Sequence, residues 1–314
     1  MKYLKKIISL LAVLIGVSIL SFMMANISTI EPAEAIARRA YSNPTQEQIA
    51  KIRLEKGLDR PIAVQYIDWF SSSLQGDLGT SYQTNQPVVG EMADKLKATL
   101  SLTGAALFWV VIFVVPLSIL SATEKNRFWD HLIRGITVLG ISIPSFWLGF
   151  LLLIAFAISL PIFKVVDYGN INSLILPSIT LALPVICSSV RILRATLLKN
   201  MKQDYVIYAK SRGLSSSRIM WKHILKNSLP PVVTIFFQNI GMMIAGSAIV
   251  ETVFSWPGLG SYFVSSIINR DLPVINGCVL VFALIFVLAN TVGELTNRML
   301  NPRMISGKEL VTIA

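Results

Sequence analysis

The most informative stretch of this sequence is D-Y-V-I-Y-A-K-S-R-G-L-S-S-S-R-I-M-W-K-H-I-L-K-N-S-L-P-P, residues 204–231. It is the longest polar interruption in the C-terminal two-thirds of a very apolar chain. No helix breaker occurs from Val206 to Arg212, and Gly213 then offers the left-handed backbone that commonly ends a helix. The serines at 215–217 are candidate N-caps for a second helix. The pattern therefore predicts two short helices joined by a sharp bend.

The second helix of this stretch is predicted to be basic and amphipathic. Arg218, Lys222 and Lys226 recur every four residues, which aligns them on one face, and apolar residues cover the rest. Pro230 and Pro231 are expected to close the motif, because proline removes a helical hydrogen bond.

Two interpretations of the stretch stay open on local grounds. Ala209 and Gly213 are four residues apart, so the first helix offers a small-residue face that another backbone could approach closely. This favours docking to a partner. A basic amphipathic helix can instead lie on anionic lipid, as cytoplasmic loops of membrane proteins often do.

The composition places the chain in a membrane. Of its 314 residues, 54% are hydrophobic and 14% are charged, and the mean hydropathy is +0.64, whereas soluble domains carry about 25% charged residues. The formal charge of +11 reflects loops on one side and not a nucleic-acid surface. Cys187 and Cys278 lie in apolar runs without the spacing of a metal site, so we expect buried free thiols and no metal.

Hydropathy predicts six membrane spans and an all-α fold. The basic start and the apolar run to residue 27 favour a retained signal anchor over a cleaved signal peptide, because the run is longer than a signal peptide needs. Residues 28–97 are polar and predict an external segment. The remaining spans are predicted near 100–122, 132–160 with a kink at Pro144, 174–193, 229–254 and 274–292.

The distribution of basic residues predicts the orientation. Of the 28 lysines and arginines, 18 fall in segments assigned to the inside, and only Lys164 and Arg270 fall in short outside loops. This bias predicts that both termini are cytoplasmic, including the tail at 301–314. The stretch at 204–231 then lies in a cytoplasmic loop, residues 199–228, within a transmembrane core at 98–300.

Several classes of protein are disfavoured. The sequence contains no G-x-x-x-x-G-K-[ST] loop, so we expect it to bind no ATP itself and to need no cofactor. A secondary transporter or channel predicts mid-membrane ionisable residues and inverted repeats, and neither is clear here. A membrane-embedded enzyme needs clustered His, Asp or Glu, whereas His131 and His223 stand far apart.

A second group of candidate residues follows the predicted fifth span. Glu251 lies near its outer end, where a carboxylate is either a pore contact or a tolerated helix-end charge. S-W-P-G-L-G at 255–260 predicts a tight re-entrant or capping turn, with Trp256 as an interfacial anchor, or an ordinary interfacial turn. The candidate outer-gate or pore residues are Glu251, Trp256, Pro257, Gly258 and Gly260.

The ordered motifs of the chain resemble a known family. They include G-L-D-R-P at 57–61, G-D-L-G-T-S at 76–81, S-I-P-S-F-W-L-G at 142–149 and Q-D-Y-V-I-Y-A-K-S-R-G-L at 203–214. H-I-L-K-N-S-L-P at 223–230, E-T-V-F-S-W-P-G-L-G at 251–260, N-R-D-L-P-V at 269–274 and N-P-R at 301–303 follow in order. In this order they resemble the permease subunits of peptide/nickel-type ABC importers.

The resemblance implies a type I importer permease that is not an enzyme. It implies a second permease subunit in a heterodimer, two cytoplasmic ATPase subunits that bind ATP, and an extracytoplasmic solute-binding protein. The loop at 199–228 then resembles the family's E-A-A-x-x-x-G coupling loop, although Ile207 stands where the Glu is usual. The implied coupling residues are Asp204, Tyr205, Ala209, Lys210, Gly213, Leu214 and Ser215.

The solute is the least determined feature. E-P-A-E-A at 31–35 differs from the P-G-D-P of many peptide permeases in this family and resembles nickel and metal-chelate branches. The expected solute is therefore a nickel or metal chelate, or a di- or oligopeptide, with the binding protein setting the selectivity.

Overall fold

The structure is a computed structural model that describes residues 2–26, 31–164 and 168–300. Throughout the described residues the regular structure is helical, with one isolated bridge between Thr80 and Pro87. The helices are α1 Lys2–Asn26, α2 Pro32–Ala40, α3 Gln46–Glu55, α4 Ile62–Leu74, α5 Val88–Thr123, α6 Phe128–Ser142, α7 Ser145–Leu153, α8 Ile171–Asn200, α9 Asp204–Ser211, α10 Ser216–Ile219, α11 Leu225–Val253, α12 Leu259–Ile268 and α13 Leu272–Leu300. Single π-helical turns, Ile154–Ser159 and Met220–Ile224, follow α7 and α10.

Four of the described helical segments are long and apolar enough to cross a bilayer: Val88–Thr123, Ile171–Asn200, Ser216–Val253 and Leu272–Asn297. The pair Phe128–Ser142 and Ser145–Ser159 makes a fifth if it is one span, but it is bent by 104°. The predicted kink at Pro144 is thus a sharp break, because Pro144 precedes α7 and its own backbone is extended. The count of six remains a prediction.

The prediction that Pro230 and Pro231 close the motif is wrong. Helix continues unbroken from Ser216 to Val253, through both prolines. Proline is tolerated inside an apolar helix when side chains satisfy the backbone groups that it frees. Two adjacent prolines remove only two N–H donors, those that would face the carbonyl groups of Lys226 and Asn227, so the rest of the helix keeps its hydrogen bonds.

The chain divides into two compact units. The first comprises residues 1–100 and 256–287, and the second comprises residues 101–255 and 288–314. In the first unit, the main buried cluster is Leu78, Val88, Met92, Leu259, Val274 and Cys278. A smaller cluster of Ala33, Ala37 and Ile49 joins α2 to α3. In the second unit, α8 packs against both α6 and α11. Cys187 and Cys278 are both buried, and neither forms a disulfide in the described part of the chain.

A buried carboxylate organises part of the first unit. Asp271 is 1% exposed and accepts hydrogen bonds from Ser81 Oγ at 2.6 Å and from the backbone N–H groups of Tyr82 and Gln83, both at 3.1 Å. The last residue of the motif at 76–81, Ser81, therefore takes part in a buried hydrogen-bond network. Burial, with Asp271 as the second cause, raises the pKa of Tyr82 to about 12, so this phenol stays neutral.

The E-P-A-E-A segment is explained by local ion pairs. Glu31 Oε1 and Oε2 accept from Arg53 Nε and Nη2 at 2.6 and 2.5 Å, and these hydrogen bonds hold the pKa of Glu31 below its usual range. Glu34 pairs with Arg38 one turn later in α2, at 2.6 Å. Both glutamates thus have structural partners.

Candidate coupling surface

The candidate loop is fastened at its two ends. Asn200, the last residue of α8, donates from Nδ2 to Ser228 Oγ at 2.8 Å. Ser228 is fully buried and itself donates to the Ile224 carbonyl. These two residues lie 28 positions apart and bracket the predicted loop at 199–228. The hydrogen bond between Asn200 and Ser228 therefore holds the two ends of the loop together within the second unit.

A glycine turn ends α9 as the sequence predicts. Gly213 has φ of +77°, which an L side chain rarely adopts. Its N–H donates to the Lys210 carbonyl at 2.9 Å, and the N–H of Leu214 donates to the Ala209 carbonyl at 3.3 Å. This 5→2 and 6→1 pair is a Schellman motif, which satisfies carbonyl groups that a helix end leaves open. A Cβ added at Gly213 would meet nothing within 4 Å.

The helix after the bend starts where a serine caps it. Ser215 Oγ accepts from the backbone N–H of Arg218 at 3.4 Å, which satisfies one N–H group of the first turn. The basic residues Arg218, Lys222 and Lys226 are all exposed. The predicted helix–bend–helix arrangement and its basic face are thus confirmed, although the second helix continues into α11.

Only part of the small-residue face predicted for docking is exposed, because Gly213 is exposed and Ala209 is not. Ala209 is only 5% exposed, because the inner side of α9 packs within the second unit. The side chains presented outward are larger: Ile207 is 61% exposed, Tyr208 is 66% and Trp221 is 55%. The guanidinium of Arg212 lies 5.8 Å from the centroid of the Tyr208 ring. We call Ile207, Tyr208 and Trp221 the loop apolar surface.

The remaining predicted coupling residues differ in exposure. Asp204, Lys210, Gly213 and Ser215 are exposed, and Tyr205 and Leu214 are half-buried. Tyr205 Oη is buried and has no hydrogen-bond partner in the described part of the chain. A cleft of about 340 Å³ lies beside the loop, lined in part by Lys210, Met220 and Trp221.

The second group of candidates has members in both units. Glu251 belongs to the second unit, where it is fully buried and accepts from Ser247 Oγ at 2.8 Å. Trp256, Pro257, Gly258 and Gly260 belong to the first unit. Trp256 is 5% exposed and donates from Nε1 to the Ala98 carbonyl at 3.0 Å. The prediction of an interfacial anchor is therefore wrong, since Trp256 is buried in protein.

The tight turn around Trp256 is confirmed and leads into α12. Ser255 has φ of +51°, and the Gly258 N–H donates to the Trp256 carbonyl at 2.8 Å. The N–H of Leu259, the first residue of α12, donates to Thr99 Oγ1 at 2.7 Å. The turn is thus held on α5.

The sequence analysis missed a buried ion pair in the second unit. Asp130, fully buried at the start of α6, accepts from Arg194 Nε and Nη2, both at 2.7 Å. It also accepts from Ser121 Oγ and from the Asn126 N–H, at 2.6 and 2.9 Å. The one sequence signal is an arginine inside an apolar helix, because such a charge needs a partner. The pair ties α5 and α6 to α8, which carries the loop.

The described residues hold no group of three His, Cys, Asp or Glu side chains that could bind a metal ion. The loop instead offers apolar side chains and cations on an anchored base, which suits contact with another protein.

Comparisons with known proteins agree on one family. Residues 114–306 match the family model "Binding-protein-dependent transport system inner membrane component", and residues 1–103 match the model of the corresponding N-terminal region. The glutathione transport system permease protein GsiC of Escherichia coli is 36% identical over 298 residues, covering 95% of this chain and 96% of that protein. GsiC of Salmonella typhimurium is 36% identical over 299 residues, covering 95% and 97%.

Solved structures support the fold. An inward-facing structure of the MetNI methionine ABC transporter aligns with a TM-score of 0.56 at 18% identity, covering 67% of this chain and 95% of that one. An amino acid ABC transporter crystallised with histidines aligns with a TM-score of 0.53 at 16% identity, covering 67% and 94%.

Proposed function

The chain belongs to the family of binding-protein-dependent transport system inner membrane components, and from this premise we propose how it works as an importer subunit. Its relatives are transport permeases, so the chain is a membrane transport protein of the ABC importer class and not an enzyme. We propose that the loop at 199–228 couples it to ATPase subunits.

The observation that carries this proposal is the loop apolar surface. Exposed aromatic and aliphatic side chains on a cytoplasmic loop are costly in water and suit burial in a protein groove. The loop apolar surface is exposed. It lies between Asn200 and Ser228, whose side chains are hydrogen-bonded to each other. A force applied to this surface would act on α8 and α11 directly, because the loop joins them.

The proposed partners follow from the family. Two cytoplasmic ATPase subunits bind and hydrolyse ATP, a second permease subunit completes the pore, and an extracytoplasmic protein delivers the solute. Closure of the ATPase subunits would then move the coupling loops and switch the pore between inward-facing and outward-facing states.

For the solute, we place a short peptide before a metal chelate. The relatives with 36% identity are named for glutathione, a peptide-like solute. The segment that favoured nickel uses both of its glutamates in ion pairs with Arg53 and Arg38. A nickel or metal chelate remains the second candidate, to be separated by measuring peptide-dependent growth and nickel uptake after deletion of the gene.

We further propose six spans, with α1 as the first and the bent α6–α7 pair as the third. Both termini would be cytoplasmic, with residues 28–97 outside. The tail at 301–314 lies outside the described residues. Gln75→Cys should react with an impermeant thiol reagent in intact cells, and Ser306→Cys should react only after lysis. The buried native thiols, Cys187 and Cys278, give little background. The reverse labelling pattern contradicts this topology.

The coupling proposal is tested with Ile207→Asp in the reconstituted complex. We expect loss of solute-stimulated ATP hydrolysis and of ATPase co-purification, because the substitution puts a charge into the docking surface. Ile268→Asp is the control, since Ile268 is equally apolar and 75% exposed but lies in the first unit. Normal stimulation of Ile207→Asp contradicts the proposal. A stand-alone transporter or channel is supported instead if uptake persists without the ATPase subunits.

A further inference from the structure

The first unit contains a cavity, and no residue of the loop at 199–228 lines it. Its volume is about 410 Å³, within the range of about 300–1,000 Å³ for small-molecule pockets. It is formed by α1, by the end of α3 and the length of α4, by the 76–82 loop and by the start of α13. The lining includes Phe22, Lys56, Arg60, Trp69, Tyr82 and Asn276.

One indole in the lining contributes its ring. Trp69 lines the cavity, whereas its Nε1 is buried and forms no hydrogen bond with the described residues. A ligand in the cavity does not reach an N–H group that is closed to solvent, so the contact that Trp69 offers is the apolar ring.

One cation in the lining also has no anionic partner in the described part of the chain. Arg60 is engaged by Asp68, at 2.6 Å. Lys56 instead lies over the Tyr82 ring, with its ammonium 5.7 Å from the ring centroid. Lys56 is half-buried. It is therefore positioned to meet an incoming anion beside an aromatic face.

The balance of charge limits what that anion can be. The lining holds two cations, Lys56 and Arg60, against three carboxylates, Glu55, Asp68 and Asp77. A multiply charged anion such as phosphate would meet net repulsion. A zwitterion matches both signs, because its carboxylate can pair with Lys56 while its ammonium faces the carboxylates. The rings of Phe22, Trp69 and Tyr82 offer apolar contact to a side chain.

We propose that this cavity is an extracytoplasmic binding site for a short zwitterionic peptide, with the peptide carboxylate held by Lys56 and an apolar side chain held against the aromatic rings. The inference rests on the proposed function for the external location of residues 28–97 and for the solute class. The site lies on the permease chain itself, so it would retain peptide near the membrane independently of the binding protein.

The test measures equilibrium binding to the intact permease–ATPase complex in lipid nanodiscs without the binding protein. The probes are alanyl-phenylalanine, its C-terminal amide and inorganic phosphate. We expect the free dipeptide to bind, the amide to bind at least about tenfold more weakly, and phosphate not to bind, since a charge-assisted hydrogen bond is the stronger kind.

Two conservative variants assign the binding to this cavity. Lys56→Met keeps the aliphatic stem and Trp69→Leu keeps an apolar side chain without the ring, and each should weaken dipeptide binding, the first about tenfold or more. Lys51→Met, in α3 just before Lys56, and Trp129→Leu are matched controls at exposed positions and should bind as the unchanged chain does. Unchanged unfolding temperatures show that the variants are folded.

The results separate this site from the proposed function. Absence of dipeptide binding, equal binding of the amide, or equal binding by both cavity variants overturns the inference. If binding-protein-stimulated ATP hydrolysis persists in that case, the proposed function stands. If the dipeptide binds as expected but the binding protein and its solute never stimulate ATP hydrolysis, the proposed function is wrong. The inference of a peptide site in this cavity then still holds. If Lys56→Met weakens only the affinity for the binding protein, the occupant is a protein carboxylate and the inference is wrong.

Discussion

Among the described residues, each of the two units buries one aspartate, but the two units compensate its charge differently. In the second unit, Asp130 faces the fork of Arg194, with two N–O distances of 2.7 Å. In the first unit, Asp271 accepts from the Ser81 hydroxyl and from the N–H groups of Tyr82 and Gln83, and the structure gives it no ion pair within the described residues. One carboxylate is neutralised by a cation, and the other is solvated by dipoles.

This difference indicates what each region is built to do. A bidentate ion pair between helices fixes their orientation, because both planar groups must align. It therefore suits α6 and α8, the helices that support the coupling loop. A carboxylate that accepts successive backbone N–H groups instead fixes the course of a loop. It holds the 81–83 segment against the start of α13, beside the proposed peptide cavity.

The largest effect is expected for Arg194→Met, which leaves the buried Asp130 charge without its cation. Breaking a buried pair costs about 3–5 kcal/mol, so the apparent unfolding temperature of the purified complex should fall markedly. Arg191→Met is the control, because Arg191 lies on the same helix and is exposed. Adding Asp130→Asn should recover part of the loss, since the unpaired charge is then gone. An unchanged unfolding temperature for Arg194→Met contradicts this account of the second unit.

Asp271→Asn should have the next largest effect. The amide keeps the size of the side chain but replaces one acceptor oxygen by a donor that faces other donors. The expected cost is about 1–3 kcal/mol, read as a smaller fall in unfolding temperature and as faster proteolysis near residues 81–83. Asp59→Asn, at an exposed position, should change neither. A fall as large as that of Arg194→Met would remove the distinction between the two carboxylates.

The glycine turns permit a matched comparison between the units. Gly76 ends α4 with φ of +85° and Gly213 ends α9 with φ of +77°, and an added Cβ meets nothing within 4 Å at either. Valine at each should cost about 1–2 kcal/mol, from the left-handed backbone alone. We expect only Gly213→Val to lower solute-stimulated ATP hydrolysis, because only that turn orients the loop apolar surface. Equal ATP hydrolysis by the two variants would show that the turn does not affect coupling.

The smallest effect is expected for Arg53→Met. This substitution removes a bidentate arginine–carboxylate pair with the same donor atoms as the Arg194–Asp130 pair, but at a half-exposed site. Both side chains of the Arg53–Glu31 pair are close to 40% exposed, at 39% and 38%, so water compensates either partner. The lowered pKa of Glu31 means that the pair stabilises above the ordinary glutamate pKa and loses this effect as the pH falls through the lowered value. The unfolding temperatures of the Arg53→Met variant and of the unchanged chain should differ slightly at neutral pH and converge in acid. If Arg53→Met lowers the unfolding temperature as much as Arg194→Met does, the stabilisation by such a pair depends on its bidentate geometry more than on its burial.

The sequence by itself determined the helical class, the membrane location and the local form of the loop at 199–228. Apolar runs set the helices α5, α8, α11 and α13, Gly213 set the bend, and Ser215 set the following cap. These features depend on residues a few positions apart, through the helical period, backbone sterics and capping hydrogen bonds. The ordered motifs are likewise local features, and the family that they resemble is the one that the comparisons show.

Only the tertiary structure decided which side chains are partners and which face outward. Asp130 and Arg194 are 64 positions apart, and Asp271 and Ser81 are 190 apart. Likewise, only packing showed that Ala209 and Trp256 are buried whereas Ile207 and Tyr208 are exposed. No local period specifies such contacts, because a buried charge or indole takes whichever partner the packed helices bring within hydrogen-bond distance.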